Sequence, residues 1–469
     1  MSDYWKLREQ VSRIIPRATT LMDASRKSVM VREKGRKKNY SQFNLRHEEW
    51  RKKERLLNTE EIKSFLEISC KASACPLPLN LDTYDAEFCN YSCIYCYANF
   101  FRAKLYPNFF DNSRTMGIRH CNPDYYKREL DKMLPLRELS FEKKSELKGI
   151  EKAFSMYMPI RMGIRFEDFL KKEAKLGVSL TMLEYLKDIS YPVMINTKSD
   201  LLSSEPYLCA LAENPAKAAV HLTILTSNET ITKKLEPGAP SYARRLASVR
   251  ALNAAGVRVV PRIEPFLFLL CDDPEDVHQY MEDMWDAGSR HITFDTYSYT
   301  SNSLGIRQSF INLGWDYDRM YQAGCESQPL GSLLLGKFME MFRERGFSCS
   351  TFDMGNNPTN DQTICCEVED LWKDGGWNYG CTVMAARYIG RKKGKPVTWG
   401  MFEKYVDKHG GFLTEDLKEE VHRLWNLGGN VAYSHRWAAG LVPVGRDENG
   451  LIWKQDGTDY RETLLEEII

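Results

Sequence analysis

The chain of 469 residues has no apolar run near the ~18 residues that cross a bilayer, so no transmembrane helix is expected. Its opening, MSDYWKLREQ, is charged and lacks a secretory h-region. No internal repeat and no low-complexity tract is present, which excludes solenoid and fibrous architectures. Net charge is only +1, so bulk charge does not point to nucleic acid. Also missing is a partner CxxC or HxxxH pair at zinc spacing. These absences lead to the expectation of a cytoplasmic protein with no membrane partner. At 43% hydrophobic and 28% charged residues, the chain can bury a sizeable core and is not globally disordered. Its 13 cysteines are an odd number without an export signal, which predicts reduced thiols and metal ligation, not a disulfide framework.

What is present begins with a basic segment. Residues 1–55 hold 16 Lys and Arg against 7 Asp and Glu, densest in REKGRKKNY and RHEEWRKKER. Read plainly, this is a solvated arm. Read as an interface, it is a phosphate-contacting one built on Arg36, Lys37, Lys38, Arg51, Lys52 and Lys53. Six short apolar runs follow: Leu77–Tyr84, Tyr157–Ile164, Pro192–Thr197, Ala219–Thr226, Val257–Phe266 and His291–Tyr297. Their length and β-branched content suit buried parallel strands. Helical patterns lie between them. The clearest, APSYARRLASVRALNAAG, puts Tyr242, Leu246, Val249 and Leu252 on one face, with Ser241 as N-cap and Gly256 as stop. Alternating strands and helices predict a parallel β/α fold, and six units fit a partial barrel better than a closed one. The segment between Arg102 and Glu151 reads as an insertion. The expected division is a basic N-terminal arm (1–75), a partial (β/α)6 barrel (76–330) and a C-terminal α+β extension (331–469). That extension ends in a hairpin, LVPVGRDENGLIW.

The stretch CNYSCIYCYANFF places Cys89, Cys93 and Cys96 on a loop after the first strand. Structural zinc sites take four ligands in two separated pairs. Cubane iron–sulfur clusters are also held by thiolates, and three of them leave one iron open. A chance trio or half of a zinc knuckle is the alternative. In parallel β/α folds chemistry sits where strands end and loops begin.

CxxxCxxC in that place, with Tyr95 before the last cysteine, resembles the radical S-adenosylmethionine (SAM) superfamily. The resemblance implies a [4Fe–4S] cluster on Cys89, Cys93 and Cys96, SAM chelated to the fourth iron, and a 5′-deoxyadenosyl radical made by one-electron cleavage. It also implies an electron donor such as flavodoxin or ferredoxin. The order of motifs, CxxxCxYCYA, then INTKSDLL, then KLEPGAPSYARRLASVRALNAAG, is similar to the spore photoproduct lyase family over roughly Pro76 to Tyr297. Carried over residue by residue, Lys198 would meet the SAM carboxylate. Thr223 would supply a hydroxyl where the family has serine. Glu167 or Asp168 would accept from the SAM ammonium or ribose, and Tyr97 would join a hydrogen-atom relay. The plain alternatives are a strand-end lysine, a buried threonine, acidic residues at a helix start and a packing tyrosine. Arg262 and Glu264 would form a charged pair at the barrel mouth.

The chain departs from the lyase pattern after the second strand. The family has a hydrogen-donating cysteine there, and MPIRMGIRFEDF has none. The tail carries Cys365, Cys366 and Cys381, with Cys325 and Cys349 upstream. Their readings are an auxiliary iron–sulfur cluster or a zinc site, buried reduced cysteines, or a substrate-facing thiol. Three functions follow: a radical SAM enzyme acting on a nucleic-acid base in DNA or RNA; one modifying a peptide or small molecule; or a non-enzymatic iron–sulfur binding or regulatory protein.

Overall fold

The computed structural model describes residues 3–13, 59–62, 66–68, 79–86, 89, 91–96, 118–147, 149–164, 166–297, 304–317, 320, 329–351, 366–368, 371, 389–390, 394–408, 422, 425–426 and 441–455. Its strands are β1 (Thr59–Ile62), β2 (Leu66–Ile68), β3 (Leu79–Leu81), β4 (Tyr84–Ala86), β5 (Ile118–Cys121), β6 (Ile160–Met162), β7 (Val193–Thr197), β8 (Ala218–Thr223), β9 (Arg258–Phe266), β10 (His291–Thr296), β11 (Ser348–Thr351), β12 (Leu441–Asp447) and β13 (Gly450–Gln455). Eight form one sheet in the order β11-β10-β9-β8-β7-β6-β3-β2. Seven of these run parallel, and β2 joins the β3 edge antiparallel.

All six expected strands are present, as β3 and β6 to β10. From β6 to β11, each strand lies beside its predecessor. Right-handed crossovers in such an order put every connecting helix on the same face of the sheet. That is the winding of a β/α barrel, open at both edges among the described residues. The rhythm also runs one unit past residue 330, through the helix Pro329–Arg345 and β11.

Side-chain alternation gives the sheet two unlike faces. Leu79, Leu81, Ile160, Val193, Ile195, Val220, Leu222, Ile263, Ile292 and Phe294 are buried, and Phe294 packs on Phe338 and Phe342 of the helix Pro329–Arg345, with ring centroids 6.0 and 5.1 Å apart. The helix Tyr242–Ala254 covers the same face with Tyr242, Leu246, Val249 and Leu252. Ser241 caps it, accepting the Arg244 N–H at 3.3 Å, and Gly256 follows at φ +79°. The other face is polar. Register places Asn80 beside Arg161, Asn196 beside His221, Thr223 beside Arg262, and Thr293 beside Arg262 and Ser350.

A smaller sheet, β1-β5-β4, takes its edge strand β4 just after β3, and the Cys121 N–H of β5 donates to the carbonyl of Thr83, between β3 and β4, at 2.8 Å. The helix over 3–13 docks onto the loop after β9. The Tyr4 hydroxyl donates to Asp272 Oδ2 at 2.6 Å, and Arg8 Nε donates to the same oxygen at 2.9 Å. The expected hairpin is β12-β13, antiparallel, turning at Glu448 and Asn449, with Trp453 buried against Trp425. Among the described residues no helix is long and apolar enough to cross a membrane.

Candidate functional site

The chemistry-bearing side chains gather at the C-terminal ends of the parallel strands. Glu167 and Asp168 organise the first of these ends. Both carboxylates are buried. Asp168 Oδ1 accepts the N–H groups of Thr83 (3.0 Å) and Tyr84 (3.2 Å), and its Oδ2 accepts that of Gly163 (2.8 Å). One side chain thus ties the exits of β3 and β6. Gly163, at φ +73°, is required there, because a Cβ would stand 2.0 Å from the Asn196 carbonyl oxygen. Glu167 does the same for β7: its Oε1 accepts from Thr197 Oγ1 (2.5 Å) and the Phe169 N–H (3.1 Å), and its Oε2 accepts the Lys198 N–H (2.9 Å). Burial raises both carboxyls above the usual carboxylate range. The nearby Asp82 adds to this for Asp168, and the bonds to Thr197 and Lys198 resist it for Glu167.

The cysteine loop leaves from β4, not directly from β3. It turns twice: the Ser92 N–H meets the Cys89 carbonyl and the Cys96 N–H meets the Cys93 carbonyl, both at 3.3 Å. Ser92 takes φ +56° to make the first turn. The loop is clamped by two bonds, one to the end of the helix Glu229–Leu235 and one to the segment after it: Ile94 N–H to the Leu235 carbonyl at 2.9 Å and Gly238 N–H to the Tyr91 carbonyl at 3.0 Å. Cys93 is buried, while Cys89 and Cys96 are half-buried. Burial pushes the Cys93 thiol well up, Lys198 pulls it down, and Glu236, Cys96 and Cys89 push it up again.

Lys198, from the end of β7, is brought to this loop. Its Nζ stands 5.7 Å from the centre of the Tyr95 ring. Burial works against its ammonium, but Cys93, Glu236, Cys96 and Glu167 outweigh burial and hold its pKa above the ordinary value. Thr223 is buried at the end of β8, on the polar face. Arg262 and Glu264 form an ion pair on that face, and Thr293 Oγ1 donates to Glu264 Oε1 at 3.3 Å.

Two residues that the sequence reading did not single out complete the rim. Glu236, inside the EPG motif, accepts from the Tyr95 hydroxyl and pairs with Arg245 at 2.6 Å. Arg245 also donates to the Thr223 carbonyl at 2.8 Å. The sequence did hold a signal. Arg245 lies three residues after Tyr242 and four before Val249, so it is a charge on the buried stripe of its helix.

Tyr97, Arg165, Cys325, Cys365 and Cys381, and the basic residues from Arg36 to Lys53, lie outside the described residues. Cys366 is buried, and its carbonyl accepts from His221 Nε2 at 2.8 Å on the polar face. Cys349 is a core thiol, 3.7 Å from the Met339 carbonyl oxygen.

Among the described residues, no three His, Cys, Asp or Glu side chains are placed to hold one metal ion. Thiolates on a cubane each bind a different iron, so they stand farther apart than the ligands of a single ion. A donor set of three thiols beside a cation fits such a cluster with one iron left open.

The fold class is thus an open, sequentially wound β/α sheet with its polar side chains at the strand ends. No protein-family model matches the chain. It is 22% identical over 293 residues to uncharacterized proteins of Mycobacterium tuberculosis and Mycobacterium bovis, covering 60% of this chain and 78% of each relative. Among solved structures it is similar to spore photoproduct lyase complexed with dinucleoside spore photoproduct, at TM-score 0.43 and 14% identity, over 62% of this chain and 81% of that one. It is also similar to Streptococcus suis SuiB bound to S-adenosylmethionine, at TM-score 0.37 and 10% identity, over 59% of this chain and 50% of that one. SuiB bound to its precursor peptide SuiA gives TM-score 0.37 and 11% identity.

Proposed function

We propose that this chain is a radical SAM enzyme acting on a base in DNA or RNA. One observation carries the reading. Lys198, about a hundred residues from the cysteine loop, is delivered by β7 to the face of Tyr95 and to the thiols of Cys93 and Cys96. A cation there has a use if an anionic ligand joins the thiolate-held group.

In this reading Cys89, Cys93 and Cys96 hold a [4Fe–4S] cluster. Bound there, the cluster supplies the electron that cleaves the SAM sulfonium to a 5′-deoxyadenosyl radical. Lys198 neutralises and orients the SAM carboxylate, and Thr223 offers a hydroxyl at the next strand end. Glu167 fixes the strand end that carries Lys198, and Asp168 fixes the neighbouring ends of β3 and β6. Any contact they make to SAM runs alongside that duty. The polar face below, with Asn196, His221, Arg262, Glu264 and Thr293, offers donors and acceptors to a base edge. The basic arm supports the substrate class. Its Lys and Arg, densest between Arg36 and Lys53, are the reason.

The test is anaerobic reconstitution with iron and sulfide, followed by dithionite and SAM. Formation of 5′-deoxyadenosine is expected from the native chain and none from the Cys89/Cys93/Cys96→Ala triple variant. Cleavage retained by the triple variant, or absent from an iron-loaded native chain, ends the reading.

A further inference from the structure

Elsewhere in the molecule, buried carboxylates serve the fold locally. Glu173 binds Tyr84 and Tyr207, and Asp272 binds Tyr4 and Arg8. The Glu236–Arg245 pair is different, because its remaining bonds reach two separate parts of the candidate site. We propose that Tyr95, Glu236 and Arg245 are positioning residues that register the cysteine loop against the ends of β7 and β8, fixing how a ligand held by Lys198 and Thr223 meets the group held by the thiolates. The proposal rests on the reading above.

The chain of contacts is continuous. Tyr95, between Cys93 and Cys96 in the loop, donates its hydroxyl to Glu236. Glu236 pairs with Arg245 at 2.6 Å, with side chains 2% and 1% exposed. Arg245 Nη1 donates to the carbonyl of Thr223 at 2.8 Å. The held ring is the one that Lys198 Nζ faces at 5.7 Å. The network therefore touches the loop at its hydroxyl end, β7 through the ring face, and β8 through a main-chain carbonyl.

Stability alone is a weak reason for such a pair. Desolvating two charges costs several kcal/mol per ion, and apolar replacements of similar volume are often as stable. The backbone bonds of Ile94 and Gly238 already hold the loop on both sides of Glu236. What the side chains add is direction. Glu236 fixes the tilt of the Tyr95 ring, and Arg245 Nη1, which meets both Glu236 and the Thr223 carbonyl, fixes Glu236 relative to β8.

The test uses the full chain, reconstituted anaerobically, with Tyr95→Phe, Glu236→Gln and Arg245→Lys variants. Tyr95→Phe removes one hydroxyl and keeps the ring, so it is the variant least prone to misfold. Iron content per chain should match the native protein in Tyr95→Phe. Its SAM dissociation constant should rise at least tenfold, and the change that SAM causes in the electron paramagnetic resonance spectrum of the reduced cluster should weaken. Arg245→Lys, which keeps the charge on a shorter side chain that cannot place its nitrogen where Nη1 meets both Glu236 and the Thr223 carbonyl, should show the same losses with native iron content. SAM affinity and spectral change within twofold of native in the iron-loaded Tyr95→Phe and Arg245→Lys variants would overturn the proposal while leaving the functional reading intact. Loss of iron from Tyr95→Phe with a native circular dichroism spectrum would also overturn it, since the network would then be holding the cluster and not registering its ligand. A native chain that neither loads iron nor responds to SAM fails the functional reading instead.

Discussion

Lys198→Ala isolates one interaction. The substitution keeps the Lys198 N–H that Glu167 Oε2 accepts at 2.9 Å, so the end of β7 keeps its anchor. It also keeps the Tyr95 hydroxyl bond to Glu236, and with it the loop. What disappears is a half-buried ammonium that the neighbouring thiols and carboxylates hold charged. A hydrogen bond between charged partners is worth about 1.5–3 kcal/mol. At 1.4 kcal/mol per tenfold, SAM should bind roughly 12- to 140-fold more weakly. The upper part of that range is expected, because the ammonium stands over a buried ring and not in open water. Equilibrium dialysis of SAM against anaerobically reconstituted protein measures the change, with iron content as the control for the cluster. Lys198→Arg keeps the charge but replaces a compact ammonium with a planar fork, so it should recover only part of the affinity. An affinity within twofold of native in an iron-loaded Lys198→Ala protein would refute the assignment of the SAM carboxylate to this lysine.

Three further outcomes are expected. If Cys365, Cys366 and Cys381 hold a second cluster or a zinc ion, the Cys89/Cys93/Cys96→Ala protein should still contain iron or zinc by metal analysis; neither metal would leave them as buried or hydrogen-donating cysteines. If the basic arm makes three to six phosphate contacts, affinity for duplex DNA should fall roughly 40- to 2000-fold between 50 and 200 mM salt. Deleting residues 14–55 should flatten that dependence, and a gel shift showing no binding tighter than about 100 μM at low salt would move the substrate to a peptide or small molecule. Tyr4→Phe removes a 2.6 Å bond to the fully buried Asp272, worth about 1.5–3 kcal/mol as a bond to a charged group. Hydrogen exchange of the helix over 3–13 should then accelerate by roughly 12- to 140-fold, and unchanged protection would show that Arg8 and packing alone dock it.

Which parts of this site are legible in the chain follows from how local their causes are. Strands such as Val193–Thr197 carry their own signal, an apolar β-branched run of the right length, and six of the seven parallel strands are readable from such runs. The seventh is not. Ser348–Thr351 reads SCST, with no apolar run, and the helix before it, PLGSLLLGKFMEMFRER, is too evenly apolar at its start to show one face. Its place in the sheet is set by pairing with β10 and by Phe338 and Phe342 under Phe294, which are distant in sequence. The cysteine spacing is readable because one short loop contains it. The partners of Asp168 are not, since they come from the ends of β3 and β6. Glu236 and Arg245 fall between these cases. Both lie in one quoted motif, yet their meaning depends on Tyr95, some 140 residues earlier, and on the carbonyl of Thr223. A parallel sheet wound in order makes this division unavoidable. Each strand end contributes one or two side chains, and adjacent ends are separated by a whole helix in sequence. The scaffold is therefore written locally, strand by strand, whereas the geometry proposed to join thiols, a lysine and a threonine in one site exists only across strands. Buried carboxylates such as Asp168, Glu167 and Glu236 are the means by which this chain fixes that geometry.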